Sequence, residues 1–223
     1  MSKLVKRDFL VPLLLVALSA IPMLGGIARL VSLSSQGTAE NARFHAAPIP
    51  IVLHFVGAAL YALLGAFQFS SGFRRRWPRW HRRSGKILVL CGLSTALTGL
   101  WMASFYRIPH GLQGPILYAI RMMVGVAMAA AITVAYSSIR RREFSRHEAW
   151  MIRAYALGQG AGTQALLLGT CTVLSGEVVG LTRDLLMSLA WAINVVVAEW
   201  IIRRRASAPR QAVSQLGYET SRA

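Results

Sequence analysis

Apolar residues run in six stretches along the chain, and each stretch is about as long as a helix needs to cross a bilayer. A helical span takes roughly 20 residues to cover about 30 Å of hydrocarbon. The stretches are Phe9 to Leu30, Ile49 to Phe69, Lys86 to Tyr106, Ile116 to Ile139, Ala149 to Leu174 and Leu185 to Ile202. The pattern therefore predicts an all-α integral membrane bundle of six transmembrane helices.

Composition supports a membrane class for the whole chain. Of 223 residues, 55% are apolar and only 15% are charged, which is outside the usual range of soluble domains. We expect one six-span domain over residues 1–205, with a core bundle at about residues 49–174. The polar residues 206–223 are predicted to form a disordered cytoplasmic tail.

The net charge is +17, and the positions of the basic residues indicate which partners and which orientation to expect. The basic residues lie in short loops rather than on a soluble face, which argues against a nucleic-acid partner and favours contact with anionic lipid headgroups. They cluster before the first span, between the second and third, between the fourth and fifth, and after the sixth. The positive-inside rule then places both termini in the cytoplasm, with the protein in a bacterial inner (plasma) membrane.

Two of these basic loops share a pattern. Three arginines at 74–76 and three at 140–142 each precede a histidine by the same interval, and these histidines are His81 and His147. The match is consistent with a parallel repeat of two spans and their loop. It is equally consistent with two unrelated arginine-rich loops.

Signals for helix starts place the two histidines at similar depth. Pro78 is suited to the first turn of a helix that carries His81. Ser145 and Glu148 fit the capping box S-x-x-E, which would put His147 in the first turn of the fifth span. We expect both histidines at the inner face of the bundle.

Two predicted spans also carry polar stripes that should face the bundle interior, because lipid cannot satisfy polar groups. They are His54, Tyr61 and Gln68 in the second span and Tyr155, Gln159 and Thr163 in the fifth. Helical spacing puts each set on one face of its helix. Three glycines near Gln159 allow either close helix packing or room for a flat ligand.

Two arginines lie within predicted spans, where an unpaired charge is costly. Arg121 should face the interior and, with His54, could border a polar pocket open to the outside; alternatively it is structural and extends to the outer interface. Glu177 and Asp184 are candidate partners for it. Arg153 is expected to form an ion pair with Glu199.

The histidine layout suggests a haem hypothesis. One histidine per helix, paired on each side, resembles the arrangement in cytochrome b561 proteins, and arginines can neutralise haem propionates. The candidate cofactor-binding residues are His81, His147, His54, Arg121 and Arg153, with His81 and His147 as iron ligands; the candidate pocket-lining residues are Tyr61, Gln68, Tyr155 and Gln159. Binding of haem b for transmembrane electron transfer is the leading specific hypothesis for the function.

Two other classes stay open beside haem. One is a non-redox protein that binds or transports a small molecule or anionic lipid, and the other is a membrane scaffold. The sequence contains no GxSxG, HExxH, Walker or paired CxxC motif, so it predicts no particular enzyme. It gives no oligomeric state.

Several motifs together resemble a known family. They are His54 with Gln68 and Phe69, the segment RWHRRSGK from Arg79 to Lys86, the intramembrane Arg121, and RHEAWMIRAYAL from Arg146 to Leu157. This set is similar to the uncharacterised bacterial membrane family called domain of unknown function 2306. The resemblance covers roughly half the chain and implies a multi-span membrane protein whose key positions include His81, Arg82 and His147. It implies no activity, substrate or cofactor.

Overall fold

The computed structural model describes residues 3–38 and 41–207. These residues form the helices α1 (Lys3–Val31), α2 (Ala42–Ala46), α3 (Pro48–Gln68), α4 (Ser71–Arg76), α5 (Pro78–Phe105), α6 (Pro115–Arg140), α7 (Phe144–Gly158), α8 (Gly160–Ser175) and α9 (Gly180–Ser207), with a short 3-10 turn after α1. No strand occurs in the described ranges, so the all-α fold class is confirmed. Within them, α1, α3, α5, α6 and α9 are long and apolar enough to cross a membrane.

Large apolar side chains remain exposed on the outer faces of these helices. Leu24 on α1 is 66% exposed, Leu90 on α5 is 70% exposed and Val196 on α9 is 67% exposed. Contiguous apolar surface of this kind would be unstable in water. It is the surface that lipid covers.

The predicted fifth span differs from the structure. The sequence predicts one helix over Ala149 to Leu174, whereas the chain forms α7 and α8, which are separated at Gln159. Neighbouring helices pack closely against this joint: a side chain at Gly160 would overlap the Trp191 indole, and one at Gly162 would lie 2.6 Å from the Leu18 carbonyl oxygen. The glycines therefore serve close packing.

Side chains from α9 compensate for the interruption. The Trp191 indole N–H donates to the Leu157 carbonyl at 3.1 Å, and the Asn194 amide donates to the Ala156 carbonyl at 3.1 Å. The Thr163 hydroxyl in turn donates to the Asn194 side chain at 2.8 Å. A broken helix is tolerated at membrane depth when neighbouring side chains satisfy the backbone groups in this way.

The polar stripe of α3 faces α5, as its spacing predicts. His54 Nδ1 lies 3.0 Å from the Thr95 carbonyl, so this nitrogen carries the proton and donates. Near the other end of the stripe, the Gln68 amide donates to the Ser84 hydroxyl at 2.7 Å. Tyr61, between them, packs against Gly92 of α5.

Two predicted boundaries need correction. α7 begins at Phe144 with Glu143 as its N-cap, and no side chain caps it, so the capping box at Ser145 is wrong although His147 does lie in the first turn. α9 continues to Ser207, which makes the first two residues of the predicted tail helical. The rest of that tail, residues 208–223, lies outside the described residues.

The bonds from Asn194 should stabilise the joint between α7 and α8. An Asn194→Leu variant removes both of them, and we expect it to lower the free energy of unfolding by about 1–2 kcal/mol. Denaturant titration in mild detergent measures this change. Val196→Ala, on the lipid-facing side of the same helix, should change it by about 0.5 kcal/mol or less. Equal losses in the two variants would contradict a role for these bonds.

Candidate functional site

A cavity of about 850 Å³ lies among α3, α5, α6 and α7. We call it the basic cavity, because it lies at the end of the bundle where the arginine-rich loops gather. Its apolar lining comes from Phe69, Leu88, Val89, Ile139, Phe144 and Met151, and its polar lining includes Tyr61, Gln68, His81, His147 and Tyr155. The cavity therefore combines an apolar interior with a few polar groups, as ligand sites usually do.

His81 and His147 meet at this cavity from different helices. Pro78 at the start of α5 places His81 in the first turn of that helix, and His147 occupies the first turn of α7. His147 Nδ1 donates to the Ala135 carbonyl at 2.9 Å, so in the neutral imidazole Nε2 is the nitrogen with the free lone pair. The buried Nδ1 of His81 has no hydrogen-bond partner among the described residues.

Four cations border the basic cavity: Arg74, Arg82, Lys86 and Arg140. All four are exposed. In the described part of the chain none of them has an ion-pair partner, whereas the one carboxylate on the border, Glu148, is paired with Arg205. The mouth of the cavity thus carries positive charge that no carboxylate of the described residues neutralises.

Tyr61 contributes a second unpartnered polar group. Its side chain is 2% exposed, and its hydroxyl has no hydrogen-bond partner within the described ranges. Glycines on two helices border its ring: a Cβ at Gly92 would lie 2.7 Å from the ring, and one at Gly158 would lie 3.0 Å from it. The ring is therefore fixed in a narrow slot beside the cavity.

A chain of hydrogen bonds holds Tyr155 beside Tyr61, with the two ring centres 5.7 Å apart. Its hydroxyl donates to the Ala62 carbonyl at 2.7 Å and accepts from the Gln159 amide at 2.8 Å. The Gln159 carbonyl oxygen accepts from the Ser19 hydroxyl at 3.0 Å. The chain joins α1, α3 and α7, so Gln159 positions Tyr155 and does not line the basic cavity itself.

The remaining predicted site residues lie elsewhere. His54 packs against Gly99 and Thr95 of α5, away from the basic cavity. Arg121 donates to Gln113 near the start of α6. Neither of its two candidate partners, Glu177 and Asp184, forms an ion pair with it in the described ranges. Asp184 accepts from the backbone N–H groups of Gly114 and Leu117, at 3.0 and 3.2 Å.

Arg153 also lies outside the cavity lining. It forms the predicted ion pair with Glu199, with Nε and Nη2 at 2.5 and 3.0 Å from the two carboxylate oxygens. Its guanidinium lies 4.7 Å from the centre of the Trp150 ring. The ion pair joins α7 to α9, and the ring contact lies within α7, so the geometry gives Arg153 an architectural role.

Of the four border cations, the sequence singles out only Arg82 as a key position, through the family resemblance. Arg74, Lys86 and Arg140 appear in it only as members of basic loops, because an excess of such residues is common in the cytoplasmic loops of membrane proteins. Helical spacing gave one indication that two of these cations accompany His81. Within two turns of α5, adjacent faces carry His81, Arg82, Gly85 and Lys86.

A model of the predicted membrane protein family DUF2306 matches residues 51–202. The chain belongs to the DUF2306 family. The match includes both histidines of the basic cavity and the four cations at its mouth. Comparisons with the curated proteins and with the solved structures gave no match.

The two tyrosines should differ in their contribution to stability. Tyr155→Phe removes the hydroxyl from a chain of hydrogen bonds, and we expect the free energy of unfolding to fall by about 1–2 kcal/mol. Tyr61→Phe removes a hydroxyl that has no partner in the described part of the chain, so the free energy of unfolding should be unchanged or higher. Thermal unfolding in detergent distinguishes the variants. A larger loss for Tyr61→Phe would show that its hydroxyl is satisfied within the free protein.

Proposed function

We propose that this membrane protein binds an amphipathic small molecule in the basic cavity, with an anionic group at the mouth and an apolar body inside. The observation that carries the proposal is the combination of the apolar lining with Arg74, Arg82, Lys86 and Arg140 at the border. Cations without an ion-pair partner beside an apolar cavity favour an amphipathic ligand. Its anionic group would neutralise the positive charge, and its apolar body would displace water from the cavity.

The local charge balance supports an anion over a neutral ligand. Glu143 and Glu148 of the same region are already paired with Arg146 and Arg205, respectively. Neither carboxylate is therefore left to neutralise the mouth. An anionic lipid headgroup or a fatty acid carboxylate would do so, and charge-assisted contacts of this kind are stronger than neutral ones.

We infer that α7 and α8 together make a sixth crossing of the membrane. Their 15 and 16 residues are jointly longer than a span requires. The first residue of α9 contacts the loop between α5 and α6, since the Gly180 N–H donates to the Gly111 carbonyl at 2.8 Å. Six crossings return α9 to the basic end, which we assign to the cytoplasmic side of a bacterial inner membrane by the positive-inside rule.

Binding of decanoate and of its methyl ester tests the proposal. In native mass spectrometry of the detergent-solubilised protein, decanoate should bind in preference to the uncharged ester. The double variant Arg82→Gln/Arg140→Gln should lose about tenfold in decanoate affinity.

The matched control is Arg203→Gln/Arg204→Gln, which removes the same charge from the same end but outside the cavity lining. It should bind decanoate as the wild type does. Equal binding of acid and ester, or equal loss in both double variants, would contradict the proposed site.

Haem b is the second candidate, because it shares the amphipathic chemistry and the two histidines suit its iron. His147 has the arrangement common in metal-binding histidines, with Nδ1–H bonded to a backbone carbonyl and Nε2 available. Propionates at the mouth would meet the four cations. When bound, haem would supply one-electron transfer.

An absorption spectrum of protein produced with ample haem tests this candidate. Bis-histidine haem should give a Soret band that shifts on dithionite reduction, and His81→Ala or His147→Ala should abolish it. His110→Ala, outside the cavity lining, should keep the band. A colourless wild-type protein would contradict haem binding but would not affect the proposal of an amphipathic ligand.

A further inference from the structure

Two residues that line the basic cavity have a buried polar atom with no hydrogen-bond partner in the described ranges. Among the described residues, three buried side-chain atoms lack a hydrogen-bond partner, and two of them, Tyr61 Oη and His81 Nδ1, belong to residues that line this cavity. The third, on His45, belongs to the short helix α2. Unpartnered polar groups are costly in a membrane interior. Their concentration at one cavity therefore suggests that a bound molecule satisfies them.

Tyr61 lies deeper in the membrane than the mouth of the cavity. It precedes Gln68 by seven residues on α3, which corresponds to roughly 10 Å along the helix. The border residues lie beyond the Gln68 end of α3: Arg74 is on α4, and Arg82 and Lys86 are on the first part of α5. A ligand with its anionic group at the mouth would therefore bring its far end to Tyr61.

A phenylalanine would fill the Tyr61 position equally well. Its ring would fit the same slot between Gly92 and Gly158 and would keep the contact with Tyr155, whose ring centre lies 5.7 Å away. It would also avoid the cost of burying an unpaired hydroxyl. Packing alone therefore does not account for the phenol.

We propose that the Tyr61 hydroxyl donates a hydrogen bond to an oxygen at the deep end of the ligand. The inference rests on the proposed function and narrows its ligand class. The ligand carries an anionic group at one end and a carbonyl-type oxygen at the other, separated by an apolar body. A plain acyl chain would leave Tyr61 unpaired, because its far end is a methyl group.

A matched pair of probes tests this assignment. One is decanoate, and the other is the keto acid of the same length whose carbonyl lies next to the terminal methyl. Both place a carboxylate at the mouth, but only the keto acid brings an oxygen to Tyr61. The wild-type protein should bind the keto acid roughly fivefold more tightly, the gain expected from one net hydrogen bond.

Tyr61→Phe should abolish this preference while still binding decanoate, so that the two affinities become equal. Tyr136→Phe is the matched control: it removes a phenol that also lines the cavity but is 43% exposed. It should retain the preference. Native mass spectrometry with both probes in competition gives the ratio directly.

The outcomes separate this inference from the proposed function. Equal binding of both probes to the wild type, or a preference that survives in Tyr61→Phe, would overturn the role of Tyr61 and leave an amphiphile site. A wild-type protein that binds neither probe would overturn both, since the border cations would then hold no carboxylate. A preference lost in Tyr61→Phe alone supports both.

Discussion

The structure depends on the rule that polar groups inside a membrane must find partners in the protein. Lipid offers no hydrogen bonds, so each polar side chain of α3 faces α5, where His54 meets Thr95 and Gln68 meets Ser84. The same rule explains the joint at Gln159, where α9 side chains satisfy the freed carbonyls. Of the three buried polar atoms without a hydrogen-bond partner among the described residues, those of Tyr61 and His81 belong to residues that line the basic cavity.

Much of the helical layout could be predicted from the sequence, because span length and helical spacing are local properties. The stripe on α3 follows from helical spacing, and the start of α5 follows from the preference of proline for the first turn. The pair of Arg153 with Glu199 follows from two costly charges near the same ends of their spans. The interruption at Gln159 could not, since an apolar stretch has the same composition whether or not it is continuous. It depends on Trp191 and Asn194, which are distant in sequence.

The cavity could not be predicted from local sequence patterns either. Helical spacing predicts that the stripe residues Tyr61 and Gln68 face the bundle interior, but it does not say which other helices surround them. The structure brings them together with His81 and His147 at the basic end, and places His54 and Arg121 apart from them. The arginine clusters from which the positive-inside rule predicts the orientation also border this chamber, so sequence alone could not separate the two interpretations of them.

The bond between Ser19 and Gln159 bears on where the folding unit ends. Ser19 belongs to α1, which precedes the residues matched by the family model, 51–202. Yet α1 supplies the donor to Gln159 and the backbone surface that Gly162 packs against. A fragment trimmed to the family boundary would expose both to lipid and would remove the Ser19 bond that holds Gln159 against α1. The region that defines membership of the family is thus smaller than the region whose helices pack together.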